Sequence, residues 1–161
     1  EMKDTEIAEI FTMMNPDKRL FFSRFVTPSF VNQRLIGLKH RSTYNDVDLN
    51  HALLNSMFTM FYIEASGFGR GLGVLDISKA SIENCYMLNP NMVSTENRQR
   101  ILNSFEVLKS RKIKNVSDEL YENDRETFEH IIFRSFGIDE HFEEIRQSLI
   151  SMQKARGSVR D

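Results

Sequence analysis

Residues 46–66 read DVDLNHALLNSMFTMFYIEAS, and this stretch decides the expected fold. Asp46 and Asp48 are of the residue type that caps helix N-termini. Apolar side chains follow at helical spacing, with a second set that widens the same side: Leu49, Ala52, Leu53, Met57, Met60 and Phe61, then Leu54, Phe58 and Tyr62. The stretch therefore predicts one helix running to about Ser66, apolar nearly all round and central to the core.

The residues before this helix change character once. Ile7, Ile10, Phe11 and Met14 have the i, i+3, i+4, i+7 spacing of a short amphipathic helix, which Asn15-Pro16 would end. Residues 19–38 are instead rich in aromatic and β-branched side chains and are interrupted by Thr-Pro-Ser at residues 27–29. This pattern predicts two strands joined by a turn at the interruption.

Residues 67–73 read GFGRGLG and hold four of the seven glycines of the chain. They predict a loop with unusual backbone angles. The loop lacks the Gly-Lys-Ser/Thr ending of a P-loop, and it follows a helix, unlike a dinucleotide-binding fingerprint. A purely structural turn and a contact of Arg70 and the freed amides with a DNA backbone both stay open. A strand over 74–77, a helical turn capped by Ser78 and a short strand over 85–88 are expected next.

From Ser94 onward the pattern is helical. We expect one helix around residues 101–108, a second ending at Gly137, and a third that begins near Asp139, buries residues such as Phe142 and Leu149, and stops at Gly157. The expected fold class is α+β: a small β-rich N-terminal half packed on the central helix, followed by an all-helical tail. Residues 1–161 are expected to form a single domain, with 1–93 as the α+β part and 94–161 as the tail.

The composition excludes several classes of site. A net charge of −2 gives no global attraction to nucleic acid, so any such binding needs a local patch. Cys85 is the only cysteine and has no partner for a disulfide or a thiolate zinc site, and the four histidines lack metal-ligand spacing. No apolar run approaches the ~20 residues that span a bilayer. We therefore expect a cytoplasmic protein with no metal and no membrane partner.

Charge is distributed unevenly along the chain. Six basic residues and no acid occur between Lys18 and Arg41, whereas residues 118–144 are rich in Asp and Glu. Long basic side chains contact phosphates, and Asn32, Gln33 and Arg34 are residue types that read base edges. The basic stretch therefore favours a DNA-facing surface, and the alternative is a solvated basic face of a β-hairpin.

Two stretches together resemble the C-terminal region of N6-adenine DNA methyltransferases of restriction-modification systems. The first is LLNSMF at 53–58 with the glycine loop and Leu75-Asp76-Ile77, which is similar to the end of the target-recognition region of that family. The second runs from Asp124-Arg125-Glu126 through FGI at 136–138 to residue 145, and is similar to the helical tail of the family. The resemblance covers about residues 20–156.

The resemblance implies a non-catalytic C-terminal fragment that contributes to DNA binding and target recognition. The implied partners are double-stranded DNA and an upstream methyltransferase domain of the same chain, where S-adenosylmethionine would bind. No cofactor or catalytic residue is expected here, because residues 89–92 read NPNM and lack the second proline and the aromatic residue of the catalytic motif. Tyr86 or Met87 also departs from the family, which has a proline there. The start at Glu1 favours a piece of a longer protein.

Seven residues are the expected DNA contacts. The arginines and lysines would hold phosphates, and the amide side chains with one arginine would read bases. They are Arg24, Asn32, Gln33, Arg34, Lys39, Arg41 and Arg70. The alternative function is a protein-interaction module that docks a partner subunit through the acidic helical tail, and a third possibility is an enzyme whose site no motif reveals.

Overall fold

A computed structural model describes residues 7–39, 46–70 and 73–158, and its fold is mixed α+β. Within these ranges, the chain forms a three-stranded sheet, a two-stranded hairpin and seven α-helices. Their bounds are β1 (Ile7–Met13), β2 (Ser23–Phe30), β3 (Leu35–Leu38), α1 (Val47–Leu54), α2 (Met57–Ser66), β4 (Phe68–Arg70), β5 (Val74–Asp76), α3 (Lys79–Glu83), α4 (Thr95–Lys109), α5 (Val116–Glu119), α6 (Asn123–Ser135) and α7 (Phe142–Gly157). Short 3₁₀ turns cover Pro90–Met92 and Asp139–His141.

The amphipathic helix expected over residues 7–14 is wrong, because this segment is the central strand of the sheet. β1 pairs antiparallel with β2 on one side and with β3 on the other. Its buried residues are Ala8, Ile10 and Thr12, which follow the two-residue period of a strand. The apolar spacing matched a helix only because Ile7 and Phe11 on the opposite side of the strand are apolar as well.

The expected turn at residues 27–29 is also wrong, because β2 continues through it to Phe30. Both strands exist, but each pairs with β1, so they are parallel to each other and residues 31–34 connect them. This connection approaches the sheet closely at Gly37. A Cβ at that position would lie 2.7 Å from the Cβ of Ala8 and 3.0 Å from Val31, so only glycine fits without displacement.

The central helix is present but is broken into α1 and α2 at Asn55-Ser56. The Asp46 carboxylate caps α1 by accepting from the Leu49 N–H at 3.0 Å, as the sequence predicts. Ser56 starts a second helix because its hydroxyl accepts from the Thr59 N–H at 3.3 Å. Both helices lie in the core, where Ala52, Met57 and Ile63 are almost fully buried.

The glycine stretch forms part of the β4–β5 hairpin, in which Gly69 pairs with Leu75. Gly73 has a φ of 69°, the left-handed conformation expected of this stretch. The predictions of a strand after it and of a helix capped by Ser78 are confirmed by β5 and α3. The strand expected over residues 85–88 is wrong, since that segment is irregular and exposes Tyr86.

The helical tail is confirmed, and Gly137 ends α6 with a φ of 67°. α4 packs against α6, and α2 packs against α7, so the tail covers the helices of the first half. One hydrophobic cluster holds residues of both halves, including Met57, Ile101 and Phe128. In the described ranges, none of the helices has the length and apolar character needed to cross a bilayer.

Candidate nucleic-acid interface

The three expected base readers lie together in the connection between β2 and β3. Asn32, Gln33 and Arg34 are all exposed. The Asn32 side-chain oxygen accepts from the Arg34 N–H at 2.8 Å, and the Arg34 carbonyl accepts from the Met14 N–H at 3.0 Å. The connection is therefore held against the end of β1, with its polar side chains directed to solvent.

The other expected contacts lie elsewhere or outside the description. Arg24 forms an ion pair with Asp48 of α1. Lys39 follows β3 at the end opposite Arg34 and borders a largely apolar cavity of 350 Å³. Arg41 lies outside the described residues, and Arg70 belongs to β4 with its side chain likewise outside them. Of the five expected contacts whose side chains are described, Arg24 and Lys39 lie apart from the Asn32–Arg34 turn.

A more concentrated basic surface lies beside the Asn32–Arg34 turn. It is a cavity of 690 Å³ between the β1–β2 loop (residues 14–22) and the α4–α5 loop (residues 110–115). Four basic and two acidic side chains line it, together with two asparagines. We call it the basic cleft: Lys18, Arg19, Lys112, Lys114, Asp17, Asp118, Asn15 and Asn115.

Long-range hydrogen bonds fix the backbone of the β1–β2 loop. The Met14 carbonyl accepts from the Ile77 N–H at 2.8 Å, and the Lys18 carbonyl accepts from the Val116 N–H at 2.9 Å. The Asn15 amide also donates to Asp76 at 3.0 Å. The loop is therefore held by β5 and its continuation and by α5, while Lys18 and Arg19 stay exposed. A fixed backbone with free cationic side chains suits binding of anions, because little loop entropy is lost on binding.

Arg111 holds the opposite wall of the basic cleft. Its guanidinium donates to Asp124 at 2.6 Å, to Glu119 at 2.9 Å and to the Lys112 carbonyl at 3.2 Å. These contacts lower the pKa of the Asp124 carboxyl and raise the pKa of Arg111 above its usual range, because each charge stabilises the other. Arg111 thus fixes the loop that carries Lys112 and Lys114.

Ion pairing leaves most of the cleft cations available. Lys114 pairs with Glu122 at 2.6 Å. Lys18, Arg19 and Lys112 form no ion pair within the part of the chain that the structure describes. Residues 109–114 read KSRKIK, with four basic residues in six, so a search for basic runs finds this wall from sequence. The prediction did not include this wall, because it rested on the acid-free stretch at residues 18–41.

A buried polar network joins the break between α1 and α2 to the start of α6. Arg125, 4% exposed, donates to the Asn55 carbonyl at 2.5 Å and forms an ion pair with Glu129. Glu129 also accepts from the Met57 N–H at 2.8 Å. Burial raises the pKa of Glu129, although the Arg125 charge opposes this. These bonds join the C-terminal end of α1 to the first turn of α6, although Asn55 and Arg125 are 70 residues apart in sequence.

The Asn55 side chain extends the same network to the sheet. Its oxygen accepts from the Phe22 N–H at 2.9 Å, and its nitrogen donates to the Phe22 carbonyl at 3.0 Å. That carbonyl also accepts from His51 Nε2 at 2.9 Å, which places the proton of a neutral imidazole on Nε2. Burial lowers the pKa of His51. The segment leading into β2 is therefore fixed to α1 by side chains.

The described residues include no group of three His, Cys, Asp or Glu side chains arranged to hold a metal ion. Comparison of the chain with protein-family models, curated proteins and solved structures finds no match.

Proposed function

We propose that this chain is the non-catalytic C-terminal part of an adenine-specific DNA methyltransferase, and that its basic cleft holds the phosphate backbone of duplex DNA. The observation that carries the proposal is an anchored backbone that presents Lys18, Arg19 and Lys112, three cations without an ion pair among the residues that the structure describes. Phosphate contacts supply affinity and orientation without sequence preference.

The family resemblance supports the same proposal at a second point. LLNSMF at 53–58 begins the first of its two stretches, and Asp124-Arg125-Glu126 begins the second. Arg125 bonds to Asn55, so the two motifs meet in one buried network. Contact between the two motifs gives a structural reason why both would occur in one family.

Under this proposal, two neighbouring surfaces contact different parts of the DNA. The basic cleft positions the duplex, and Asn32, Gln33 and Arg34 beside it are placed to read base edges. Methyl transfer and S-adenosylmethionine belong to an upstream domain of the same chain. Arg24 is a weaker candidate because Asp48 neutralises it, and Lys39 lies at a different end of β3. A cytoplasmic location belongs to the same proposal, because the DNA of a restriction-modification host is there.

The test compares two variants that change charge equally. Lys18→Gln/Arg19→Gln/Lys112→Gln removes three cleft cations, and Lys79→Gln/Arg100→Gln/Lys154→Gln removes three exposed cations on α3, α4 and α7. Fluorescence anisotropy with a labelled duplex is measured across a range of KCl concentrations. We expect the cleft variant to lose more than about tenfold in affinity and its log–log salt slope to flatten by about 2 to 3, one unit per lost phosphate contact. Equal losses in the two variants, or no salt-sensitive binding by the parent chain, would overturn the proposal.

The interaction-module alternative stays a hypothesis without a specific contact in its favour. Several acids of the tail are engaged inside the chain: Glu119 and Asp124 with Arg111, and Asp139 with Arg134 and His130. These carboxylates are therefore less available to a basic partner than the sequence suggests.

A further inference from the structure

Arg156, in the last turn of α7, reaches three separate parts of the chain. Its Nε donates to Glu64 Oε1 of α2 at 2.6 Å, and one terminal nitrogen donates to the other Glu64 oxygen at 3.1 Å. The remaining nitrogen donates to the Gly73 carbonyl at 2.6 Å, and the nitrogen shared with Glu64 also donates to the Asp17 carbonyl at 3.2 Å. One guanidinium thus joins α2, the β4–β5 hairpin and the β1–β2 loop.

The chemistry of this contact suits arginine and no other residue. The Glu64 side chain is 2% exposed and the Arg156 side chain 11%, so the carboxylate needs a buried cationic partner. Two backbone carbonyls must be bonded at the same time, in different directions. A planar fork of five N–H donors does this, whereas a lysine ammonium would satisfy the charge without holding both carbonyls.

The position of the Asp17 carbonyl gives the contact its functional meaning. Asp17 directly precedes Lys18 and Arg19, the two cations on one wall of the basic cleft. The next carbonyl, that of Lys18, is bonded to the Val116 N–H on the other wall. The backbone at residues 17–18 is therefore fixed from both directions, and a change at either bond alters where the two side chains start.

We propose that Arg156 is a positioning residue for DNA binding, which fixes the backbone from which Lys18 and Arg19 reach the phosphates. This inference rests on the proposed function of the basic cleft. Arg156 does not touch DNA itself. It acts through the Asp17 carbonyl, so the last turn of α7 supports the DNA-binding surface without belonging to it. Binding geometry has to be held within about half an ångström to be productive, so a small loop displacement is costly.

Arg146 on the same helix provides a matched control. Its side chain is 12% exposed, and it pairs with Glu126 and Glu143. Glu126 belongs to α6 and Glu143 to α7, so neither ion pair involves the β1–β2 loop. Arg156→Lys and Arg146→Lys therefore make the same chemical change at comparable burial, but only the first alters the bond to the β1–β2 loop.

The experiment measures duplex affinity, its salt slope and amide hydrogen exchange for both variants of the chain. We expect Arg156→Lys to bind about five- to tenfold more weakly to any duplex sequence, with a salt slope flatter by about 1 to 2. Exchange should rise at the amides of Val116 and Ile77, which donate to the Lys18 and Met14 carbonyls of this loop. Arg146→Lys should keep the affinity and the exchange pattern of the parent chain at these amides. Equal behaviour of the two variants would overturn the inference.

A third variant covers the case in which Arg156→Lys is poorly folded. Glu64→Gln removes the buried charge but keeps Arg156 and its bond to Asp17, so Tm should fall while DNA affinity stays within about twofold of the parent. A loss of affinity in step with Tm would mean that the contact serves stability alone. Failure of the parent chain to bind DNA would overturn the proposed function, and hydrogen exchange would then decide separately whether Arg156 holds the loop.

Discussion

Arg125 and Glu129 form a buried ion pair whose surroundings do not fully satisfy it. Within the part of the chain that the structure describes, Arg125 Nε and Glu129 Oε2 meet no hydrogen-bond partner. Such a pair contributes little net stability over apolar residues of similar volume, but removing one member leaves a buried charge uncompensated. The value of this pair lies in specificity: it aligns the break between α1 and α2 with the start of α6.

A double-mutant cycle tests this description. Arg125→Met alone should lower the free energy of unfolding by about 3 to 5 kcal/mol, because Glu129 is left without its cation. Adding Glu129→Met should recover at least about 1 kcal/mol of that loss. Urea unfolding at pH 7 measures Arg125→Met, Glu129→Met and the double variant. Additive losses would show that the two side chains are energetically independent, against this account.

His51 makes the stability of the fold depend on pH. Burial lowers its pKa in the folded chain, and its Nε2–H donates to the Phe22 carbonyl. The unfolded chain therefore binds a proton more readily below the ordinary histidine pKa of about 6.5, so stability should fall as pH decreases through that value. The slope from this group cannot exceed about 1.4 kcal/mol per pH unit.

Urea unfolding between pH 7.5 and pH 5.5 measures this effect, with His51→Gln as the comparison. The variant keeps a side-chain donor but cannot be protonated, so its stability should change less over the same interval. His130 and His141 are present in both proteins and cancel in the difference. Parallel pH profiles for the two proteins would contradict the assignment of a neutral, buried His51.

At the scale of elements, prediction from sequence succeeded where local signals and tertiary packing agree. The helices of the tail, the Ser78 cap and the left-handed Gly137 all have local causes, namely apolar periodicity, a capping hydroxyl and a glycine. β1 failed because its apolar spacing fits a helix, while its neighbours β2 and β3 decide that it is a strand. The break at Asn55-Ser56 combines a local signal, the Ser56 cap, with contacts of Asn55 to Phe22 and Arg125, which are remote in sequence.

Gly37 tests how closely the β2–β3 connection is packed on the sheet. Gly37→Val places a side chain where the Ala8 Cβ is 2.7 Å away, so strands or connection must move. We expect a loss of about 1 to 3 kcal/mol in the free energy of unfolding. Gly157→Ala is the control, since a Cβ there meets nothing within 4 Å. Thermal or urea unfolding of both variants decides the matter, and a Gly37→Val protein as stable as the control would contradict the described packing.

At the scale of the whole molecule, the net charge of −2 does not show that basic and acidic residues are concentrated in different stretches, and folding brings two of the basic stretches together. Residues 18–19 and 112–114 are about a hundred positions apart, and they line one cleft because the Lys18 carbonyl bonds to Val116. Sequence alone indicated a basic N-terminal surface and placed Asn32, Gln33 and Arg34 on it. The basic run at residues 109–114 is visible in the sequence, but only tertiary structure makes it the second wall of the basic cleft and pairs Arg24 with Asp48.

The most direct measurement of the central claim is an NMR titration of the ¹⁵N-labelled chain with a short DNA duplex, following each backbone amide. We expect the largest amide chemical-shift changes on residues 15–21, on residues 110–115 and on the neighbouring turn at 32–34. These changes should become smaller as the salt concentration rises. Shift changes centred on α2, α7 or the β4–β5 hairpin, with both loops of the basic cleft unaffected, would contradict the claim.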